Sequence, residues 1–334
     1  MDYVSTAAAV AASLAALRIY QSFRDDSRRY KDLLEMRSSS IATIRTRSDG
    51  TPIQLQYSIQ EPSIDNDGDN VPVAVVLHAS GGGHDQGLIL ATKLLPPNRY
   101  RIISISRSGY LQSTAVSSVQ EQCEDLQLLL QETLGIPKIS LLLGMSVGSV
   151  MTLQFASLYP QMVESIVVLS PWIPYAGDDE KSPQKPSLPA PPQWVLNVFF
   201  GSEFVKWASI QVGFGNSMCG VTPATSNEAK QLVSVFLDTL FPVSDRFQGF
   251  CLDVQSAMSL RLTAQELSKI AASILYLAAE DDPQCKIHEN QLPASMVNSK
   301  QVTIMTRPTG GHIMVADYQK TQQDIQVFLD KKSQ

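Results

Sequence analysis

A serine set between two near neighbours without side chains, Gly144-Met145-Ser146-Val147-Gly148, is the part of this 334-residue chain best equipped for chemistry. A serine hydroxyl attacks carbonyl carbon poorly until a base within hydrogen-bond reach takes its proton and an acid orients that base. The G-x-S-x-G pattern supplies the geometry where a strand turns sharply into a helix, because the strained backbone there leaves no room for side chains two positions away. The flanks predict such a turn. Ile139 to Leu143 is a short apolar run of buried-strand character, and Ser149 to Ala156 carries apolar residues at helical spacing.

Four histidines could serve as the base. His78 and His84 flank a glycine-rich segment, His288 lies in a charged stretch, and His312 follows Thr309-Gly310-Gly311 after the last apolar run. With an elbow serine first, the order Ser…Asp…His selects His312 and an acid between the two. Asp281-Asp282-Pro283 closes the apolar run Ala272 to Ala279. Asp282 is the expected acid, since proline turns the chain directly after it; Asp281 is the alternative one residue away. The oxyanion needs two donors, and the Val147 amide is one of them. The second is expected from His78-Ala79-Ser80-Gly81-Gly82-Gly83, at Ser80 or Gly81, and the sequence leaves that choice open. This loop lacks the Lys-Ser/Thr ending of a phosphate-binding P-loop. The chemistry calls for no metal and no cofactor.

These residues must be positioned by a scaffold, and the pattern of the chain predicts one. Residues 41–46 and 53–58 alternate around Asp49-Gly50, as an edge hairpin does. A continuous apolar run at 71–77 and strand-like runs at 100–105, 139–143, 163–170, 272–279 and 301–305 alternate with helical spacing, as in 119–134. Strands alternating with helices give a mostly parallel sheet flanked by helices. The alternation breaks after Pro171. A proline-rich stretch up to Pro192 precedes a strandless, aromatic segment with Trp194, Phe200 and Trp207, which reads as an inserted helical cap over 174–262. The core is then 39–173 and 263–334, after an N-terminal helical extension over 1–38. Trp207 and Phe200, with His78 and Met145 near the serine, are the candidate pocket residues.

Composition narrows the class. A net charge of -6 with no basic run argues against nucleic-acid binding. Cys123, Cys219, Cys251 and Cys285 are scattered, which fits reduced thiols in a cytoplasmic or other intracellular protein. The uncharged, alanine-rich stretch Val4 to Leu17 is short for a membrane span. It is expected to pack on the domain through Leu14, Leu17, Tyr20, Leu33 and Leu34, with weak, peripheral membrane association as the alternative.

The glycine-flanked Ser146, the His78 to Gly83 loop, the late Asp282 and Gly311-His312 together resemble the α/β-hydrolase superfamily over roughly residues 40 to 330. Ser106-Arg107-Ser108-Gly109-Tyr110-Leu111 and Pro242-Val243-Ser244-Asp245-Arg246, with Gly249 and Asp253, are similar to a capped, single-chain subgroup. Ala79 departs from the glycine usual at its position. The resemblance implies the α/β-hydrolase fold and a Ser146-His312-Asp282 triad, and leaves the substrate open. The expected activity is that of a serine hydrolase on a largely apolar ester, thioester or activated carbonyl compound. A C–C bond hydrolase, or a cyclase or lyase using the triad for acid–base work, is the alternative. Relatives with an aspartate nucleophile are excluded by Ser146.

Overall fold

The computed structural model describes residues 3–35, 37–63, 71–172, 194, 198, 201–213, 215, 218–259, 262–284 and 302–331. A long helix α1 (Tyr3–Glu35) leads into the hairpin β1 (Ser40–Thr46) and β2 (Pro52–Gln60). Then come β3 (Val73–Leu77), α2 (His84–Leu94), β4 (Arg101–Ile105), α3 (Val119–Leu128), β5 (Leu141–Met145), α4 (Gly148–Leu158) and β6 (Ser165–Leu169). A helical segment follows, with α5 (Glu203–Gln211), α6 (Asn227–Asp238), α7 (Phe247–Ser259) and a single turn α8 (Ala264–Leu267). The chain closes with β7 (Ser273–Ala279), β8 (Val302–Arg307) and α9 (Tyr318–Lys331).

The eight strands form one sheet in the order β1-β2-β4-β3-β5-β6-β7-β8. The pairs β1–β2 and β2–β4 are antiparallel and the rest are parallel. The hairpin therefore supplies one edge strand, β1, while β2 lies inside the sheet. Side chains alternate between the two faces, and both faces are covered. Val73, Val75 and Leu77 join one apolar cluster with α3 and α4; Ala74 and Val76 join the other with α2 and α9. A strand buried on both sides is apolar at nearly every position, with small serines such as Ser104 and Ser165 the exceptions, which explains the apolar runs in the sequence. The helix after Val119 starts as read, with Ser118 capping the Glu121 amide, and ends in one π-helical turn, Leu129–Thr133.

The strand order places the site. From β3 the chain steps to β4 on one side, while β5 lies on the other side of β3. Two connections diverging from neighbouring parallel strands open a crevice at their C-terminal ends, where open α/β sheets bind ligands. Leu77 pairs with Gly144, so the loop after β3 and the turn after β5 face one another there.

Candidate active site

Ser146 follows β5 directly and has φ of 52°, a left-handed conformation that a serine adopts at a cost. Hydrogen bonds from Ser146 N–H to Leu169 O (2.9 Å) and from Trp172 N–H to Ser146 O hold it there. The flanking glycines are steric requirements. A Cβ on Gly148 would sit 2.6 Å from the His78 carbonyl oxygen, and one on Gly144 would collide with Thr152. The turn delivers the serine hydroxyl to the N-terminal end of α4, where unpaired amides and the helix dipole favour negative charge.

The other two members come from strand ends farther along the sheet. Asp282 lies just past β7, with Oδ1 accepting the Gln284 amide at 2.7 Å. His312 lies in the loop after β8. His312 Nδ1 is 2.8 Å from Asp282 Oδ2, and His312 Nε2 is 2.8 Å from Ser146 Oγ. With the carboxylate accepting at Nδ1–H, the lone pair on Nε2 faces the serine hydroxyl. All three residues are buried. Asp281 points elsewhere: its Oδ1 accepts the Gly311 amide at 2.9 Å and so anchors the loop that carries His312. From the helical segment, the Met218 carbonyl accepts the Ile313 amide, and α6 packs over the same loop through Leu232, Val233 and Phe236.

The two candidate donors after β3 are now distinct. Gly81 N–H is taken by Tyr110 Oη at 3.0 Å. Among the described residues, Ser80 N–H and Val147 N–H donate to no protein group. Tyr110 Oη also donates to Asp253 Oδ2 at 2.5 Å and lies 3.2 Å from Ser80 Oγ. Asp253, on α7, is in turn gripped by both terminal nitrogens of Arg107, at 2.5 and 2.7 Å. Burial and the Asp253 carboxylate push the Tyr110 phenol well above its ordinary range, so it stays protonated. Arg107 Nε donates to the His78 carbonyl as well. A second buried pair, Arg246 with Asp85 at 2.8 Å, joins the chain after α6 to α2, and Arg37 reaches the same carboxylate at 2.7 Å. Burial alone would raise the Asp85 carboxyl; the two guanidinium groups outweigh it and hold it below the usual range.

The pocket candidates have other surroundings. His78 is fully buried; its Nδ1 bonds the Ala79 carbonyl and its Nε2 accepts the Arg107 amide, so the ring braces the strand ends. Burial, with Arg107 nearby, holds its pKa well below the imidazole range. Met145 is a core residue of β5. Trp207 packs against Phe23 of α1 and donates from Nε1 to Asp26 Oδ2 at 2.8 Å. These contacts join the helical segment to α1. Phe200 lies outside the described residues. A recess beside Val147 is lined by Val119, Gln122, Val150, Met151 and Ser256, closed by Arg107 and Asp253. No group of three metal-ligating side chains converges among the described residues.

The network of Arg107, Tyr110, Asp253, Arg246 and Asp85 was not assigned a purpose from sequence, although its segments stood out. The motifs interlock: Gly249 N–H donates to Gly109 O at 2.8 Å, and a Cβ on Gly249 would strike the Tyr110 ring. The signal was there in paired glycines and opposite charges on two segments that otherwise had no reason to match.

Known structures share this arrangement of the chain. A thermophilic esterase from Thermogutta terrifontis superposes with a TM-score of 0.62 at 16% identity, over 88% of this chain and 98% of the other. An esterase from Exiguobacterium antarcticum gives 0.58 at 17%, covering 85% and 97%. A bromoperoxidase from Bacillus anthracis gives 0.57 at 18%, covering 88% and 100%. At such identities the likeness is one of fold. No curated protein matches the chain. A family model described as the alpha/beta hydrolase fold matches residues 72–317, most of the chain, and the protein belongs to that family.

Proposed function

We propose that the protein is a serine hydrolase that cleaves an ester, thioester or activated carbonyl compound through an acyl-enzyme. The observation that carries this reading is the unbroken line from Asp282 through His312 to Ser146, two hydrogen bonds of 2.8 Å in series. Ser146 Oγ attacks the carbonyl carbon as His312 Nε2 takes its proton, and Asp282 holds the imidazole and stabilises the imidazolium. The tetrahedral oxyanion is received by the amides of Val147 and Ser80, which have no protein partner among the described residues. His312 then returns the proton to the leaving atom, and water reverses the sequence to free the acid. The helices α5 to α7 act as the cap that sets substrate choice.

A fluorophosphonate probe tests the reading. The folded protein should form a stable adduct, mapped by peptide mass spectrometry to Ser146, and His312→Ala should slow labelling by orders of magnitude. A folded protein that stays unlabelled, or one labelled elsewhere, overturns it.

A further inference from the structure

Helix α1 runs for 33 residues, about 50 Å at the usual rise. Its two halves live in different surroundings. The second half is docked: the Phe23 ring meets Phe204 edge-on at 5.3 Å, Tyr30 stacks on Phe241 at 4.4 Å, and Asp26 accepts from Trp207. The first half touches nothing comparable. Every described side chain from Ala8 to Ser22 is exposed. That half has no charged residue before Arg18, and its large side chains point in more than one direction. Val10, Leu14 and Leu17 form one stripe, while Ile19 lies about 200° round the helix from Leu17. Leu14, Leu17 and Tyr20 therefore do not pack on the domain as the sequence suggested; each is more than half exposed.

An uncharged, alanine-rich stretch that turns large apolar side chains to more than one side is best covered where apolar matter surrounds it. A second copy of the chain would cover one stripe and leave the rest in water, as a coiled-coil seam does. A lipid phase covers the whole circumference. One charge agrees with that occupant: exposed Arg18 stands directly after the apolar stretch, with no carboxylate in the helix before Asp25. Basic groups at that depth face anionic headgroups. The docked cap continues the surface, because Phe204, which meets Phe23 edge-on, is itself exposed. Tyr3 to Leu17 spans about 22 Å, less than the roughly 30 Å hydrocarbon core. Among the described residues no helix is long and apolar enough to cross a membrane.

We infer that residues 3–20 insert into one leaflet of an anionic lipid bilayer and hold the cap against its surface. The inference stands apart from the catalytic reading, since it is read by lipid binding alone. Flotation of the full chain with vesicles of phosphatidylcholine and phosphatidylserine tests it. The full chain should rise with the vesicles, and a variant lacking residues 1–20 should stay behind with its melting temperature unchanged, since every docking contact from Phe23 onward remains. Leu14→Ser with Leu17→Ser should lower the bound fraction about tenfold or more, as two leucines lose apolar burial. Arg18→Glu should weaken binding several-fold on the mixed vesicles and little on phosphatidylcholine alone. A folded full chain that does not float overturns the inference. So does self-association lost on deletion without any flotation, which would assign the helix to a second copy.

Discussion

Two clusters of buried polar side chains stand at the same edge of the sheet, built from opposite chemistry. In the first, Ser146, His312 and Asp282 meet through single hydrogen bonds, and the middle member is an imidazole that can carry its proton on either nitrogen. In the second, Arg107 grips Asp253 with two nitrogens and Tyr110 adds a third bond to the same carboxylate. A guanidinium does not give up its proton. The first arrangement can move a proton from Ser146 to His312 and back while Asp282 stays ionised; the second can only hold atoms in place. What it holds is the path from α7 through Tyr110 to Gly81, the neighbour of the proposed oxyanion donor Ser80. Equal burial thus serves two purposes, and the difference lies in whether a proton has somewhere to go.

The sharpest way to break that contrast is to remove a member from each cluster. Ser146→Ala should lower kcat on the order of 10⁶-fold while the melting temperature stays near that of the wild type, because the nucleophile contributes little packing. Asp282→Asn should cost on the order of 10⁴-fold, since an amide at that position favours the wrong imidazole tautomer. Asp253→Ala should do the reverse. It strands the buried Arg107 guanidinium and should destabilise the fold by about 3–5 kcal/mol, read by urea unfolding. Replacing both, Arg107→Met with Asp253→Leu, should recover much of that loss. Asp253→Ala unfolding at the wild-type urea concentration would show that the pair is no clamp.

Much of the first cluster could be read from sequence because its constraints are local. The two glycines about Ser146 announce a turn that only a few residue types fit, and strand ends announce Asp282 and His312. Local pattern favoured Asp282 through the proline after it and left Asp281 as the alternative; the two neighbouring side chains bond a histidine and a glycine amide of one loop. The choice between Ser80 and Gly81 depended on Tyr110, some thirty residues away. The second cluster was harder still, since Arg107 and Asp253 are 146 positions apart. The contact of Trp207 with α1 was hidden for a related reason: an aromatic residue in a helical insertion looks the same whether it faces a pocket or another helix. The sheet itself was plain, because a strand buried on both faces has little freedom to be polar.

Acid should separate the scaffold from the site in a second way. His84, at the start of α2, is buried, and burial lowers its pKa to about 4; its Nδ1 sits 2.7 Å from Ser58 Oγ. The Ser58 hydroxyl donates to Ser38 O, so His84 Nδ1–H donates to Ser58 and the ring is neutral. The unfolded chain binds a proton here below about pH 6.5 and the folded chain does not. Stability is therefore full above pH 6.5 and falls as the pH drops towards 4, by roughly 3 kcal/mol for a gap of this size. His78 acts in the same direction. Urea midpoints measured across this window should decline in the wild type and decline less steeply in His84→Gln. An equal slope in both would remove His84 from the account.

The smallest effect tests the comparison at its finest grain, between adjacent residues of one chemical type. Asp282 and Asp281 reach the same loop, yet one accepts an imidazole N–H and the other a backbone N–H from Gly311. An imidazole has two tautomers, and the carboxylate selects between them; a backbone amide has a single proton and nothing to select. Asparagine presents a carbonyl oxygen of nearly the same shape as the carboxylate, which is all that Gly311 requires. Asp281→Asn should therefore change kcat by less than about threefold, whereas Asp281→Ala leaves a loop amide without its acceptor and should cost about tenfold, within the range for a lost hydrogen bond. A large effect of Asp281→Asn would mean that its charge matters to His312 and that the two carboxylates act together.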